Sequence, residues 1–408
     1  MPACQPFSQK LIVDHFSDTI VTCLSSSKTT SFHTTNNSIY SNSLSTPGRK
    51  RFRMKLFDCL NFTCMDNKLP TIKQIARQLN ISISTVSRAL HDHPNIGLRT
   101  RMRVKELAQQ LRYEPNQTAI FFQQGKTFTI GVILPELSEA FFSSAISGIE
   151  DAAHNANYTV LMGQSHDSVE KEKQLIDTMK KHRVDGLLIS ISKNTNTYEH
   201  FEALQRYNIP IVYFDRIPRI SNIHYVTCNM INGTVQAINF LFKKGHRVIG
   251  MINGPEQLPA CRERLEGYIQ AMTKSRLKYD PSLVLNCDLT KDSVSSAMEQ
   301  LLSGKRKPTA IVTFNDYVAL DAVQQARKMN LEINKDVCFV SYANLPMSHY
   351  TAFPPLASVE QFPYQQGEKA TETLIELLQP KAGDDTDDTN VAFHKIMLES
   401  QLIIHDGG

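Results

Sequence analysis

The sequence has no long apolar run and few cysteines for its length. No stretch of its 408 residues approaches the roughly 18 apolar residues that a helix needs to cross a bilayer, so we expect no membrane-spanning helix. Eight cysteines in a chain of this size are too sparse for a disulfide scaffold. With 41% hydrophobic and 21% charged residues, the composition is typical of a globular protein. The length of 408 residues is enough for one large domain or for two to three ordinary ones.

Familiar catalytic and metal-binding motifs are also missing. The sequence has no G-x-x-x-x-G-K-[ST] phosphate loop, no G-x-G-x-x-G after a strand-like run, no G-x-S-x-G and no H-E-x-x-H. His91 and His93 are interpreted as turn residues, and Cys59 and Cys64 lack a second pair of metal ligands. We therefore expect a protein that is not an enzyme and that holds neither a cofactor nor a metal ion.

The net charge of +4 hides an uneven distribution along the chain. Residues 1–65 carry a net charge of +4, residues 66–126 carry +6, and residues 127–408 carry −6. A basic block joined to an acidic body indicates a small polyanion-binding module on a larger domain. A solvated basic face would give the same pattern, so charge alone leaves both interpretations open.

Residues 1–65 differ in composition from the rest of the chain. Ser, Thr and Asn crowd residues 22–46 without helical or strand periodicity, which predicts a disordered leader. The basic run at residues 48–55 resembles a nuclear-import patch, a pattern that is common by chance. Our hypothesis is that translation starts at Met54 or Met65 and that the mature protein lacks the leader. Detection of leader peptides by mass spectrometry would refute it.

The segment TIKQIARQLNISISTVSRAL, at residues 71–90, predicts two short helices joined by a tight turn. Apolar residues in its first half recur at i, i+3, i+4 and i+7, the spacing of one helix face. Asn80 tolerates the left-handed backbone of a tight turn, and Ser82 is a good N-cap for the second helix. Arg88 is predicted on the outer face of that helix, where an arginine can read guanine. The pattern is that of a helix-turn-helix.

Residues 117–124 predict a very short helix between this module and the acidic body. Asn116 is a good N-cap and Gly125 a good C′ residue. A helix of about eight residues is unstable alone in water, so we expect it to form only against a partner. Phe121 and Phe122 lie in it, and one of them fits a wedge that opens a base step in the minor groove. The alternative is a linker whose aromatic side chains dock on the neighbouring domain.

From residue 128 onward, short runs rich in β-branched residues alternate with helical segments. Such runs are typical of buried parallel strands, and about 280 residues are too many for one sheet, so we expect two α/β lobes. A cleft between two lobes, at the carboxyl ends of the strands, is the expected ligand site. The strand-like runs are TIGVIL, YTVLM, GLLISI, PIVYF, VIGMI, AIVTF and VCFVSY.

These segments occur in an order that resembles the LacI/GalR family of bacterial transcriptional repressors over residues 69–405. The most specific match is TIKQIARQLNISISTVSRAL, followed by LRYEPN and GKTFTIGVILPE; RVDGLLI, IPIVYFDR, GHRVIGMINGP, RERLEGY and FNDYVAL continue it. The resemblance implies an N-terminal all-α helix-turn-helix domain and a two-lobed α/β domain like that of periplasmic binding proteins. It also implies a cytoplasmic, nucleoid-associated homodimer that binds double-stranded operator DNA.

The expected domain boundaries follow from this resemblance. The helix-turn-helix domain is expected at 66–115, the hinge helix and linker at 116–126, and the effector-binding and dimerisation domain at 127–408. The first lobe is expected to comprise about 127–224 and 359–390, and the second about 225–358 and 391–408. No heptad repeat follows the last strand, so a tetramer of the lactose-repressor type is not expected.

The resemblance also implies which residues contact DNA. The family's minor-groove Leu falls at Phe122, and its specificity positions fall at Ile83 and Ser84. The family's Ser and acidic start of the third helix is replaced by Gly97-Leu98-Arg99, which loses a helix cap and adds positive charge. The full expected set is Thr71, Ser82, Ile83, Ser84, Thr85, Ser87, Arg88, Asn95, Arg101, Asn116, Ala119 and Phe122.

The expected effector-binding residues are Phe142, Asp215, Arg216, Arg264, Asn315 and Asp316. Two departures from the family stand beside them: Glu139-Ala140 replaces the usual Asn-Pro, and Ala343 replaces an acidic residue. The surviving polar set predicts a sugar or sugar-derived effector that controls operator affinity by changing the angle between the lobes. A nucleobase corepressor is the main alternative, and a solute-binding protein of the same fold is a weaker one.

Overall fold

The computed structural model describes residues 69–115, 125–379 and 392–405. The expected leader and most of the expected hinge, including Asn116, Ala119 and Phe122, lie outside these ranges. The helices within them are α1 (Ile72–Leu79), α2 (Ile83–Leu90), α3 (Leu98–Gln110), α4 (Ala140–Asn155), α5 (Val169–Lys181), α6 (Glu199–Gln205), α7 (Met230–Lys243), α8 (Pro259–Lys274), α9 (Lys291–Ser303), α10 (Asp316–Lys328) and α11 (Pro363–Leu378).

The strands in these ranges form two six-stranded sheets. They are β1 (Thr129–Leu134), β2 (Thr159–Gln164), β3 (Gly186–Ile189), β4 (Ile211–Phe214), β5 (His224–Cys228), β6 (Ile249–Asn253), β7 (Val284–Asn286), β8 (Ala310–Thr313), β9 (Cys338–Tyr342), β10 (Ala357–Glu360), β11 (Lys395–Leu398) and β12 (Gln401–Ile404). None of the helices in the described ranges has the length and apolar character required to span a bilayer.

Helices α1 to α3 enclose a small apolar core. Ile75, Val86 and Val104, one from each helix, are fully buried against one another. The turn between α1 and α2 passes through Asn80, whose φ of 52° is the left-handed conformation expected from the sequence. The predicted helix-turn-helix is therefore present, followed by a third helix that closes its core.

The first lobe is built on the sheet with strand order β2-β1-β3-β4-β5-β11, in which every neighbouring pair is parallel. Its central strands are buried on both faces; Ile130 and Leu188 pack on one side of the sheet and Ile133 and Leu187 on the other. Because both faces are buried, these strands consist of continuous runs of apolar residues.

The second lobe has the sheet order β7-β6-β8-β9-β10-β12. Its pairs are parallel except for β10 and β12, which are antiparallel. Helices α7 and α8 pack on one face of the sheet around Tyr268, and α9 and α10 on the other around Met298. The observed architecture is thus the two α/β lobes that the alternating pattern predicts.

The chain crosses between the lobes three times, and the expected lobe boundaries need correction there. Residues 225–228 lie in β5 and residues 395–398 in β11, and both strands belong to the first sheet rather than the second. Conversely, Val359 and Glu360 pair with β12 in the second sheet. A short apolar strand has the same sequence pattern in either sheet, and only its hydrogen-bonded neighbour decides its lobe.

Helices α4 and α11 of the first lobe approach each other at two glycines. A Cβ placed on Gly148 would meet the carbonyl oxygen of Tyr364, and one placed on Gly367 would meet that of Ala145. The two helices therefore touch backbone to backbone, and a displacement of α4 is expected to carry α11 with it.

Candidate DNA-binding surface and ligand cleft

Helix α2 presents a polar outer face whose first turn is fixed by Ser82. The Ser82 hydroxyl accepts a hydrogen bond from the backbone N–H of Thr85 at 3.0 Å and lies 2.8 Å from the hydroxyls of Ser84 and Thr85. Ile83 is 45% exposed even though it is apolar, and Arg88 is exposed on the same helix. Short side chains and one arginine allow the helix to approach the edges of base pairs closely.

The structure places most of the expected DNA-binding residues of α1 to α3 on the surface. Arg101 is half-buried: its Nη1 atom lies 3.9 Å from the Asp92 carboxylate, and its Nε–H is buried without a hydrogen-bond partner in the part of the chain that the structure describes. Lys105 donates to both carboxylate oxygens of Asp92 at 2.7 Å, which lowers the pKa of Asp92. The exposed members of the set are Thr71, Ser82, Ile83, Ser84, Arg88 and Asn95; Thr85 and Ser87 are half-buried.

A cavity lies between the lobes at the carboxyl ends of their strands. Its volume is about 50 Å³, which is room for one or two water molecules. Five of the six expected effector-binding residues line it. The lining is Glu139, Phe141, Phe142, Asp215, Arg216, Leu258, Pro259, Ala260, Arg264, Phe314, Asn315, Ala343 and Gln361.

Arg264 of α8 reaches this cavity from the second lobe and is 4% exposed. Its guanidinium lies over the rings of Phe314 and Tyr342, at 4.1 and 4.3 Å from their centroids, and its Nη2 donates to Oε1 of Gln361 at 3.0 Å. Its Nε and Nη1 atoms are buried and have no hydrogen-bond partner among the described residues. A buried donor without an acceptor is costly, so this group is suited to bind an acceptor oxygen or nitrogen that enters the cavity.

Asp215 and Arg216 reach the same cavity from the end of β4 in the first lobe. Asp215 adopts a left-handed backbone with φ 56°, a conformation more accessible to Asp than to most residues. Arg216 donates to Asp167 at 2.9 Å and lies 5.5 Å above the ring of Phe142. Burial raises the pKa of the Asp215 carboxyl, and the positive charges of Arg216 and Arg264 oppose that rise.

Glu139, which stands in the sequence as a departure from the family pattern, also lines the cavity. It precedes α4 and has no side-chain hydrogen bond or ion pair within the part of the chain that the structure describes. Burial raises the pKa of its carboxyl, and the charge of Arg216 opposes the rise. The cavity therefore offers two carboxylates as acceptors and one guanidinium with free N–H groups as donor.

Asp316 does not line the cavity, contrary to the expectation from the sequence. It is fully buried in the second lobe, where its carboxylate accepts hydrogen bonds from the hydroxyls of Ser341 and Ser358 and from the backbone N–H of Leu345. The preceding Asn315 is the N-cap of α10 and accepts from the N–H of Val318. The hydrogen-bonding capacity of this carboxylate is already used within the second lobe. In this structure Asp316 therefore stabilises the lobe.

Comparisons with known proteins agree with this architecture. Residues 71–116 match the model for bacterial regulatory proteins of the lacI family, and residues 127–399 match the model for periplasmic binding proteins and the sugar binding domain of the LacI family. The HTH-type transcriptional repressor CytR of Escherichia coli K12 is 32% identical over 309 residues, which cover 76% of this chain and 90% of that protein.

Solved structures of two regulators share the fold. A complex of the transcriptional regulator CelR with cellobiose aligns with a TM-score of 0.61 and 25% identity, covering 83% of this chain and all of that one. A putative ribose operon repressor from Burkholderia thailandensis aligns with a TM-score of 0.60 and 26% identity, covering 68% of this chain and 99% of that one. The chain therefore belongs to the lacI family and is a DNA-binding transcriptional regulator.

Proposed function

We propose that this protein is a cytoplasmic repressor whose homodimer binds a pseudo-palindromic operator. Its affinity for the operator is controlled by a sugar or sugar-derived effector that binds in the cleft. The observation that carries the effector site is Arg264, whose buried Nε and Nη1 atoms have no hydrogen-bond partner among the described residues and which lines the cavity together with Glu139 and Asp215. A ligand with several hydroxyl groups supplies both the acceptor and the donors that this arrangement requires.

Aromatic rings support the same class of ligand. Phe141, Phe142 and Phe314 line the cavity together with its polar groups, and apolar walls with a few placed polar groups are typical of small-molecule sites. The CelR structure, which shares the fold, contains the sugar cellobiose. A cavity of about 50 Å³ has room for one or two water molecules, and we propose that the lobes separate when an effector of this kind enters.

DNA recognition is assigned to the outer face of α2 and its flanks. Ile83, Ser84 and Arg88 are exposed there and are proposed to read base edges in the major groove. Asn116, Ala119 and Phe122 are proposed to act in the hinge, at the minor groove. The remaining residues are proposed to contact phosphates or to support the outer face of α2; they are Thr71, Ser82, Thr85, Ser87, Asn95 and Arg101.

Selection of DNA from a random pool by the full-length protein at near-physiological salt tests this proposal. We expect enrichment of a palindromic sequence whose half-sites are about one or a few helical turns apart, as a dimer requires. Enrichment of no sequence, with and without a panel of sugars and nucleobases, would overturn it. Release of the selected DNA by a sugar supports an inducer, whereas tighter binding with a nucleobase would favour the corepressor alternative.

A further inference from the structure

The end of the linker is fastened to the first lobe by one carboxylate. Asp185, the residue before β3, accepts hydrogen bonds from the backbone N–H groups of Thr127 at 2.7 Å and Phe128 at 2.8 Å. The single proton of the Thr127 hydroxyl lies between Asp185 and the carbonyl oxygen of Arg183, each 2.9 Å from the hydroxyl oxygen. Both carboxylate oxygens are used, and the N–H of Asp185 itself donates to the carbonyl of Thr129 at 2.7 Å. Hydrogen bonds to an ionised group are about twice as strong as neutral ones.

A second contact holds Lys126, the residue that precedes Thr127. The Lys126 ammonium donates to the carbonyl oxygen of Leu378 at 2.6 Å, and Leu378 is the last residue of α11. A cation at a helix C-terminus is stabilised by the unpaired carbonyls and by the helix dipole. Residues 126–128 are thus held at two places on the first lobe, one before β3 and one at the end of α11.

The second of these places connects with the ligand cleft. Helix α11 packs backbone to backbone on α4 through Gly148 and Gly367. Helix α4 carries Phe141 and Phe142, which line the cavity. A shift of α4 on effector binding therefore reaches the end of α11, where Lys126 is bound, through packed backbone rather than through flexible side chains.

We propose that Asp185 is a positioning residue for operator binding: it holds Thr127 and Phe128 and so fixes the point at which the segment leading to the DNA-binding domain joins the first lobe. This inference rests on the proposed function, because it assumes that the linker must be placed for specific binding. A carboxylate is required at this position because two consecutive backbone N–H groups and a hydroxyl face it. An asparagine keeps only one acceptor oxygen and places an NH₂ donor where the second carboxylate oxygen accepts from an amide.

The test compares full-length wild-type protein with Asp185→Asn and with Asp177→Asn as a matched control. Asp177 lies on α5 of the same lobe, and its carboxylate is 60% exposed and bound only to Lys180 among the described residues. We expect Asp185→Asn to weaken binding of the DNA sequence enriched from the random pool by about tenfold, because the segment that leads to the DNA-binding domain then has to be positioned at a cost to the binding free energy. Its affinity for a scrambled sequence should stay close to that of the wild type. Its urea unfolding midpoint should fall, because the lost hydrogen bonds are already made in the DNA-free protein. Asp177→Asn should change neither affinity.

Thr127→Val provides a second variant should Asp185→Asn fail to fold, because it removes only the hydroxyl and keeps both backbone donors. We expect it to weaken specific binding less than tenfold and to leave the scrambled sequence unaffected. Unchanged specific affinity in the folded variants would overturn the role of Asp185 while leaving the proposed function intact. Failure of the wild type to enrich any sequence would overturn both.

Discussion

Replacing Arg264 by methionine should abolish the response to effector while leaving the ligand-free protein folded. In the wild-type side chain two buried nitrogens, Nε and Nη1, have no hydrogen-bond partner among the described residues, and an unpaired buried donor costs about 1–3 kcal/mol. Methionine removes that cost, but it loses the cation–π contacts with Phe314 and Tyr342 and leaves Oε1 of Gln361 without its donor. Because these terms have opposite signs, we expect the free energy of unfolding to fall by less than the about 3–5 kcal/mol that breaking a paired buried ion costs.

The assay is urea unfolding of the ligand-free protein, followed by circular dichroism, together with release of the selected DNA by the effector. Arg262→Met is the matched control, since Arg262 is exposed on the same helix; it should alter neither measurement. An arginine that served to stabilise the lobe as a fully paired buried ion would cost about 3–5 kcal/mol when removed. A loss of that size, or an effector response that survives Arg264→Met, would refute the assignment of Arg264 to the ligand.

Three further predictions concern the reading helix, the first lobe and the cleft. Arg88→Ala should weaken specific DNA binding by about 1–3 kcal/mol in a titration, and unchanged affinity would remove Arg88 from base readout. Gly148→Ala should lower the free energy of unfolding by about 1–3 kcal/mol, because the new methyl group would meet the Tyr364 carbonyl. Gly304→Ala is the control, since the nearest atom to its new methyl group is 3.6 Å away. Equal unfolding midpoints for the two variants would contradict the packing argument. Glu139→Gln should be more stable than the wild type at neutral pH, and the two proteins should be about equally stable at about pH 4. Burial raises the pKa of Glu139, so the folded state holds this proton more tightly than the unfolded state does. The stability of the wild type therefore falls as the pH rises from 4.5 towards the raised pKa. A constant difference across unfolding curves at several pH values would contradict this.

The helix-turn-helix could be predicted from the sequence because its determinants are local. The left-handed turn at Asn80 and the cap at Ser82 depend on residues no more than four positions away. The two-lobed α/β architecture was equally accessible, because strands buried on both faces are continuous apolar runs that alternate with helical ones. The resemblance to the LacI/GalR family, carried by those same segments, is confirmed by the family models that match residues 71–116 and 127–399.

The structure departs from the expected arrangement where the partner of a residue lies far along the chain. Strand β11 was expected in the second lobe, yet its hydrogen bonds go to β5 in the first sheet, 170 residues earlier. Asp316 was expected to bind the effector because it follows a strand, as Asn315 does. Its carboxylate instead turns to Ser341, Ser358 and Leu345, and no periodicity in the sequence brings those donors to it.

The same reason explains why Glu139 and Asp185 were not recognised as important. Each is an isolated carboxylate in a sequence with 40 acidic residues, and the residue type alone does not distinguish a solvated side chain from one that binds. What distinguishes them is the set of groups that face them. Glu139 faces Arg216 and a cavity, and Asp185 faces two amides and a hydroxyl that are 57 and 58 residues earlier. The function of a carboxylate in this fold depends on the donors that face it. Those donors lie far away in the sequence, so contacts of this kind are found only where the fold brings such segments together, at the lobe crossings and at the start of the first lobe.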